Sequence, residues 1–278
     1  MDTYNDTHDK TKVILLGTGT PNALPDRYGS SIAVLVNDCP YLFDFGSGIV
    51  RRMKKANIDL QSIKTVFLTH LHTDHTIGYP DLIFTSWVLG RQNPLDVYGP
   101  PGLIHMTEQI TSAYKEDVRA RLEGLEPANS TGHKVNAYEV APGLIFQDSN
   151  LKVEAFLANH GSMKAYGYKI QTPDKVIVIS GDTAPFDDLI NYYSGCDILI
   201  HEVYSAEGYR DLPQVWQDYH KEMHTSTYEL GEIANEVKPK LLILYHQLFW
   251  GKSEIELVEE IRKKYDGQIV SGKDLDIF

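Results

Sequence analysis

The stretch Thr69-His70-Leu71-His72-Thr73-Asp74-His75 puts four metal-ligating side chains within six residues, directly after the apolar run Thr65 to Leu68. If that run is a buried strand, residues two apart on the extended backbone that follows point the same way. His70 and His72 can then offer imidazole nitrogens to one ion. As the chain turns toward the next helix, Asp74 and His75 can face a second ion. Imidazole together with carboxylate suits zinc, iron or manganese. The competing reading, a histidine-rich loop without metal, must treat this density of ligand types as an accident.

Outward from the motif, strand-like runs alternate with helical patterns along the chain. Lys12 to Leu16 reads as a strand that stops at the turn cluster Gly17-Thr18-Gly19-Thr20-Pro21. Ser31 to Val36 and Tyr41 to Phe45 form a hairpin around Asn37-Asp38, and Val50 to Ala56 is a short basic helix. After the motif, helices are expected over Thr76 to Leu89 and Pro101 to Leu122, then a loop from Glu126 to Lys134. Strand patterns resume at Val135 to Val140, Leu151 to Leu157, Tyr166 to Gln171, Lys175 to Ile179, Asp197 to Ile200 and Leu241 to Tyr245.

Tyr204 to Met223 is polar and aromatic without a clean period and reads as an ordered loop or lid. Leu230, Ile233, Ala234 and Val237 have helical spacing, Ser226 and Glu229 form a capping-box signature, and Pro239 closes the helix. A last helix spans Ser253 to Tyr265, with Ile255, Val258 and Ile261 on one face and Glu259/Lys263 and Glu260/Lys264 paired on the other. With no repeat and no linker, the chain reads as one α/β domain over 1–278, its polar tail 1–10 expected to be disordered.

No apolar run approaches the roughly 18 residues of a membrane span, and Met1 to Lys10 has no apolar secretory core. A cytoplasmic protein with no membrane partner is expected. Cys39 and Cys196 are the two cysteines and stand in no metal spacing, so they read as buried thiols. The net charge of −12 weighs against non-specific nucleic-acid binding, which uses a basic face.

At its histidine motif the sequence resembles the metallo-β-lactamase superfamily, whose signature is His-x-His-x-Asp-His. Asp44-Phe45-Gly46-Ser47-Gly48 is similar to the family's Asp-x-Gly-x-Gly turn. His160, Gly181-Asp182-Thr183 and His246 match its later motifs, each at a strand end. The resemblance implies an α/β, four-layer αβ/βα sandwich with two mixed sheets face to face and helices outside. It also implies a ligand split: His70, His72 and His160 on one ion, Asp74, His75 and His246 on the other, and Asp182 bridging both. The expected cofactor is two divalent ions, Zn2+ first, with Mn2+ or Fe2+ as alternatives. Two divalent ions, two aspartates and a bridging hydroxide leave the centre net positive, which attracts an anionic ester. The hydroxide is the natural nucleophile, because coordination brings a water pKa toward about 7.

Within the superfamily the sequence is most similar to ribonuclease Z and its arylsulfatase-like and phosphodiesterase relatives, on Gly17 to Pro21, Tyr166-Gly167-Tyr168, His201-Glu202 and His224-Thr225-Ser226. The last two pairs imply that Glu202 orients His224, which protonates the leaving oxygen or binds the substrate phosphate. The order His224-Thr225-Ser226-Thr227 departs from that branch's His-Ser-Thr. His201 should point away from Glu202 into the core. The transfer-RNA-gripping arm of ribonuclease Z has no room here, since only Lys169 to Lys175 separate Tyr168 from Val176.

The leading expectation is therefore a dinuclear phosphodiesterase on a small anionic ester, with Asp74, His224 and Glu202 as catalytic residues. Nucleic acid is not the favoured partner, and the resemblance points to a homodimer. Alternatives are a sulfatase, lactonase or phosphotriesterase on the same site, or a tRNA 3′-processing endonuclease. A β-lactamase ranks lower because Asp182 is present, and a non-catalytic binding module ranks lower because all seven ligand positions are filled. His8, His105, His133 and His220 have no partner spacing and read as surface or helix residues. Tyr204, Tyr209, Trp216, Tyr219, Phe249 and Trp250 either wall a substrate pocket or simply pack.

Overall fold

The computed structural model describes residues 10–278, so His8 and all but the last residue of the expected tail lie outside the described residues. The first sheet runs in chain order: β1 (Thr11–Gly17), β2 (Ser31–Val36), β3 (Cys39–Phe43), β4 (Thr65–Phe67), β5 (Leu95–Gly99) and β6 (Val135–Glu139). Its first two pairings are antiparallel and the rest parallel. The second sheet contains β7 (Gly143–Gln147), β8 (Lys152–His160), β9 (Met163–Gln171), β10 (Val176–Ile179), β11 (Ile198–Tyr204), β12 (Leu241–Leu248) and β13 (Ile269–Ser271), again in chain order across the sheet. Its meander from β7 to β10 is antiparallel, and β10 to β13 are parallel.

Each strand of a sheet buried on both faces sends alternate residues to opposite sides. Val13, Val34, Phe43 and Phe67 meet Tyr168, Ile177, Ile200 and Ile243 between the sheets. On the other face of the first sheet, Leu42, Val66 and Val97 pack under α1 (Ile49–Lys55), α3 (Tyr79–Val88) and α4 (Leu103–Ala113). The one-turn α2 (Thr73–Thr76) precedes α3, and α5 (Lys115–Glu123) follows α4. On the outer face of the second sheet, Val178, Leu199, Leu242 and Leu244 pack under α6 (Leu189–Tyr193), α9 (Thr227–Val237) and α10 (Glu254–Arg262). Between α6 and α9 lie α7 (Ala206–Tyr209) and α8 (Gln214–Met223). The architecture is the four-layer αβ/βα sandwich expected from the sequence.

Several local expectations are corrected. The helix expected over Thr76 to Leu89 is two pieces, since Pro80 lacks an N–H and opens α3 as a new helix. The long helix expected from Pro101 breaks at Tyr114, and α5 buries no residue because its sequence has no apolar stripe. Short β5, β7 and β13 were not expected. The Tyr204 to Met223 segment contains two helices, with Trp216, Tyr219, His220 and Met223 at helical spacing on α8. In α10 the buried face is Leu257, Glu260 and Ile261, while Ile255 is 71% exposed. Glu260 does not pair with Lys264. It accepts from the Ser205 and Thr227 hydroxyls and the Ala206 amide, tying α10 to α7 and α9. Lys263 instead lies 3.4 Å from Glu207, and Lys264 lies 2.9 Å from Glu232. Asn37 and Asp38 have φ of 50° and 61°, the left-handed pair that closes a two-residue hairpin.

Candidate metal centre

The carboxyl ends of β4, β10 and β11 open onto one rim, and the histidine motif crosses it. Thr69 and His70 follow β4, His72 precedes α2, and Asp74 and His75 occupy the single turn of α2. Gly46 permits this placement: a Cβ there would lie 2.4 Å from Asp74 O and 2.3 Å from the Gly29 carbonyl carbon. His160 is the last residue of β8, and Asp182 follows β10. His246 was expected at a strand end and instead sits inside β12. Glu202 pairs with Tyr245 and Val203 with Gln247, so His246 is the extra residue of a β-bulge, at φ 44°.

Two groups of ligand atoms result. His70, His72 and His160 converge with Asp182, and Asp74 converges with His75 and His246. In the first group, His72 Nδ1 lies 3.1 Å from both His70 Nε2 and His160 Nε2. Ligand nitrogens around a tetrahedral ion with bonds of about 2.0–2.1 Å stand roughly 3.3 Å apart. Between the groups, Asp182 Oδ2 is 3.4 Å from His246 Nε2, 3.6 Å from His75 Nε2, 3.8 Å from His70 Nε2 and 4.0 Å from His160 Nε2. His75 Nε2 and Asp182 Oδ1 are buried without a hydrogen-bond partner. Buried polar atoms without partners are costly, and a cation between them removes the cost. The donor set therefore fits divalent ions. A third grouping, Asp182, His224 and His246, has similar spacing.

The outward-facing nitrogens are anchored. Asp44 Oδ2 lies 2.7 Å from His75 Nδ1, Thr69 Oγ1 lies 2.9 Å from His70 Nδ1, and Met223 O lies 2.7 Å from His160 Nδ1. A proton held on Nδ1 leaves the Nε2 lone pair facing the centre. Asp44 escaped the list of site residues drawn from the sequence; its signal was the Asp-x-Gly turn, where it adopts φ 60°.

Within the site, the charges compensate one another. Burial lowers the His75 pKa, but Asp182, Asp74 and Asp44 outweigh burial and hold it well above the ordinary value. Burial opposes ionisation of Asp182, yet His246, His75 and His70 hold its carboxyl well below the carboxylate range. His160 is pushed down to about 4, chiefly by burial.

Glu202 and His224 come together as expected, with Glu202 Oε2 3.4 Å from His224 Nδ1 and both side chains buried. Glu202 Oε1 accepts from the Thr225 and Thr183 amides. Burial, more than any neighbouring carboxylate, sets the His224 pKa and pushes it down to about 4. Burial and Asp182 also raise Glu202 well above the carboxylate range. His201 points away, with Nε2 3.1 Å from the Tyr193 hydroxyl and Nδ1 donating to Glu202 O.

A cavity of about 380 Å³ opens onto Asp74, Asp182, His224 and His246, with Trp216, Tyr219, Leu248 and Trp250 among its walls. Tyr204, Tyr209 and Phe249 are not among those walls, and Tyr204 and Tyr209 pack on Trp250. His220, expected to be a bystander on a helix, sits on α8 and lines the cavity.

Residues 34–247 match the β-lactamase superfamily domain. The chain belongs to that superfamily. As a superfamily hydrolase it has the histidine and aspartate cluster that divalent ions fit. Ribonuclease Z of Mycobacterium bovis is 27% identical over 270 residues, covering 95% of this chain and 96% of that protein. The metallo-β-lactamase fold protein YhfI from Bacillus subtilis has a TM-score of 0.78 at 19% identity, covering 97% of this chain and 99% of that one. Human tRNase Z, short form, has a TM-score of 0.71 at 22% identity, covering 96% and 98%. At these identities the two structures establish a shared superfamily fold. Among the described residues, no helix is long and apolar enough to cross a membrane.

Proposed function

We propose that the chain, as one hydrolase domain over 1–278, is a cytoplasmic dinuclear phosphodiesterase acting on a small anionic ester. His70, His72 and His160 would hold one ion, Asp74, His75 and His246 the other, and Asp182 both, with Zn2+ favoured by the nitrogen-rich set. The observation that carries the reading is the single oxygen, Asp182 Oδ2, facing Nε2 of four histidines at 3.4–4.0 Å. Divalent ions supply Lewis acidity and a water acidic enough to attack near neutral pH.

The chain's own residues set the geometry. Asp44, Thr69 and the Met223 carbonyl fix the imidazole orientations. Asp74 would serve as a ligand and as a carboxylate of the reaction centre. Glu202 orients His224, which delivers a proton to the leaving oxygen. The substrate's anionic charge favours the protonated imidazole that can donate.

Elemental analysis of gently purified protein should approach two metal equivalents. The loaded enzyme should hydrolyse bis(p-nitrophenyl) phosphate faster than matched phosphotriester, sulfate, lactone and β-lactam substrates. Saturation at one ion, or a preference for another ester, overturns the proposal.

A second reading, tRNA 3′-processing, is favoured by relatives named ribonuclease Z that match along nearly the whole chain. Against it stand the four-residue turn Thr172 to Lys175 between β9 and β10 and the charge of −12. Since relatives with that name align over the same length, the missing arm alone does not separate the readings. Cleavage of precursor transfer RNA at low enzyme concentration decides for the second.

A further inference from the structure

Rings form a continuous path away from the metal centre. His246 stacks on His224 at 5.7 Å between centroids, and His224 contacts His220 at 5.5 Å. His220 lies 4.6 Å from Trp250 and stacks on Trp216 at 5.9 Å, and Trp216 meets Tyr219 edge-on at 5.8 Å. Trp216 is 53% exposed and Tyr219 is 41% exposed, yet both line the cavity that reaches Asp74 and Asp182. Exposed aromatic rings beside a reactive centre are poor packing and good binding surface.

Trp250 is held in place on the far side. It has φ 44°, a conformation that bulky side chains avoid. Its turn presses on Gly208 of α7, where a Cβ would lie 2.8 Å from Trp250 O. Tyr204 and Tyr209 back its ring at 5.2 and 6.3 Å. No lysine or arginine lines this cavity among the described residues. Such a wall has π-faces for one flat group and no cations for a chain of phosphates.

We propose that Trp216, Tyr219 and Trp250 form an aromatic clamp that seats a planar ring of the substrate beside His224. The substrate class is then a monoanionic phosphodiester carrying an aromatic ring, either a simple aryl group or a nucleobase. This deepens the phosphodiesterase reading and rests on it for the ester, while the ring preference is measured separately.

The probes are phosphinates, which have the same single charge and no bond to hydrolyse. Benzyl(methyl)phosphinate and cyclohexylmethyl(methyl)phosphinate share charge and carbon skeleton, one with a flat aromatic ring and the other with a puckered saturated one. Binding to the metal-loaded protein is read by calorimetry and by quenching of tryptophan fluorescence. Trp87 is buried in the core and gives a constant background. The benzyl probe should bind about ten-fold tighter than the saturated one, the scale of one stacking contact. Trp216→Leu and Tyr219→Leu change exposed side chains, so the fold should survive, and each should cut that preference by at least half. Equal affinity for the two probes, or a preference untouched by both substitutions, overturns the clamp.

A third probe, 5′-deoxythymidin-5′-yl(methyl)phosphinate, identifies the ring. Binding tighter than the benzyl probe assigns a nucleobase, and weaker binding assigns a simple aryl group. Turnover of bis(p-nitrophenyl) phosphate separates the two proposals. Ring preference without turnover removes the phosphodiesterase reading and leaves the clamp. Turnover without ring preference does the reverse.

Discussion

His75 Nδ1 lies 2.7 Å from Oδ2 of Asp44, whose carboxylate also takes the Thr69 amide at 2.7 Å and the Thr69 hydroxyl at 2.9 Å. One buried carboxylate thus fixes the His75 imidazole directly. It also fixes the His70 imidazole through Thr69, whose hydroxyl lies 2.9 Å from His70 Nδ1. Partners of this kind typically carry 10- to 100-fold of metal affinity. Asp44→Ala should weaken binding by about that factor at both sites, measured by competition with a chromogenic chelator. Unchanged affinity would reduce Asp44 to a turn residue.

Asp182→Ala should lower occupancy of both sites together. The carboxylate oxygen it removes faces histidines of both groups. Titration of the metal-free variant should show the loss at each equivalent. Loss confined to one equivalent would mean that Asp182 belongs to one ion alone.

His224→Ala should retain both metals and lower kcat on an alkyl phosphodiester by roughly 10²- to 10⁴-fold, the usual range for general acid catalysis. Glu202→Gln should lose less, since it orients and does not react. Both losses should shrink with nitrophenolate as leaving group, which hardly needs a proton. Metal loss in His224→Ala would instead make His224 a ligand, as its spacing to Asp182 and His246 also permits.

His201 gives a pH signature away from the metal. Burial pushes its pKa from 6.5 down to about 4. Between those values the unfolded chain takes up a proton that the folded chain refuses. Its contribution is complete above the unfolded value and is lost as pH falls toward the folded one, by up to about 3 kcal/mol. His201→Gln should unfold in less urea at pH 8, yet its stability should fall less steeply between pH 6.5 and 4.5. The metal ligands titrate alike in both proteins, so the difference in slope isolates His201. Parallel slopes would refute the assignment.

The layered fold was legible because its strands are apolar runs cut by strong turn residues, and the Asn37-Asp38 hairpin needs nothing beyond local chemistry. The convergence of the histidines and aspartates was legible through the order and spacing of residue types. Other features depend on distant contacts. The bulge at His246 exists only against β11, and Glu260 is buried because Ser205, Ala206 and Thr227 supply donors from other elements. Helix α8 was missed although its aromatic residues have helical spacing. Its one-sided face looks into a cavity, not a core, and is aromatic, while its one aliphatic valine, Val215, is exposed.

The bulge in β12 has a further consequence. Before it, Ile243 and Tyr245 face the other sheet, while Leu242 and Leu244 face the helices. By parity, residue 246 belongs with the leucines. The inserted residue breaks the count, and the imidazole emerges at the rim beside Asp74. The placement of this imidazole thus depends on an odd number of residues as much as on its identity. A β12 shortened by one residue could keep every aliphatic contact under α9 and α10, pair smoothly with β11, and fold well. It would then lack the imidazole beside Asp74. For this sheet, regularity and chemistry are alternatives, and the chain has given up one step of regular pairing for the other.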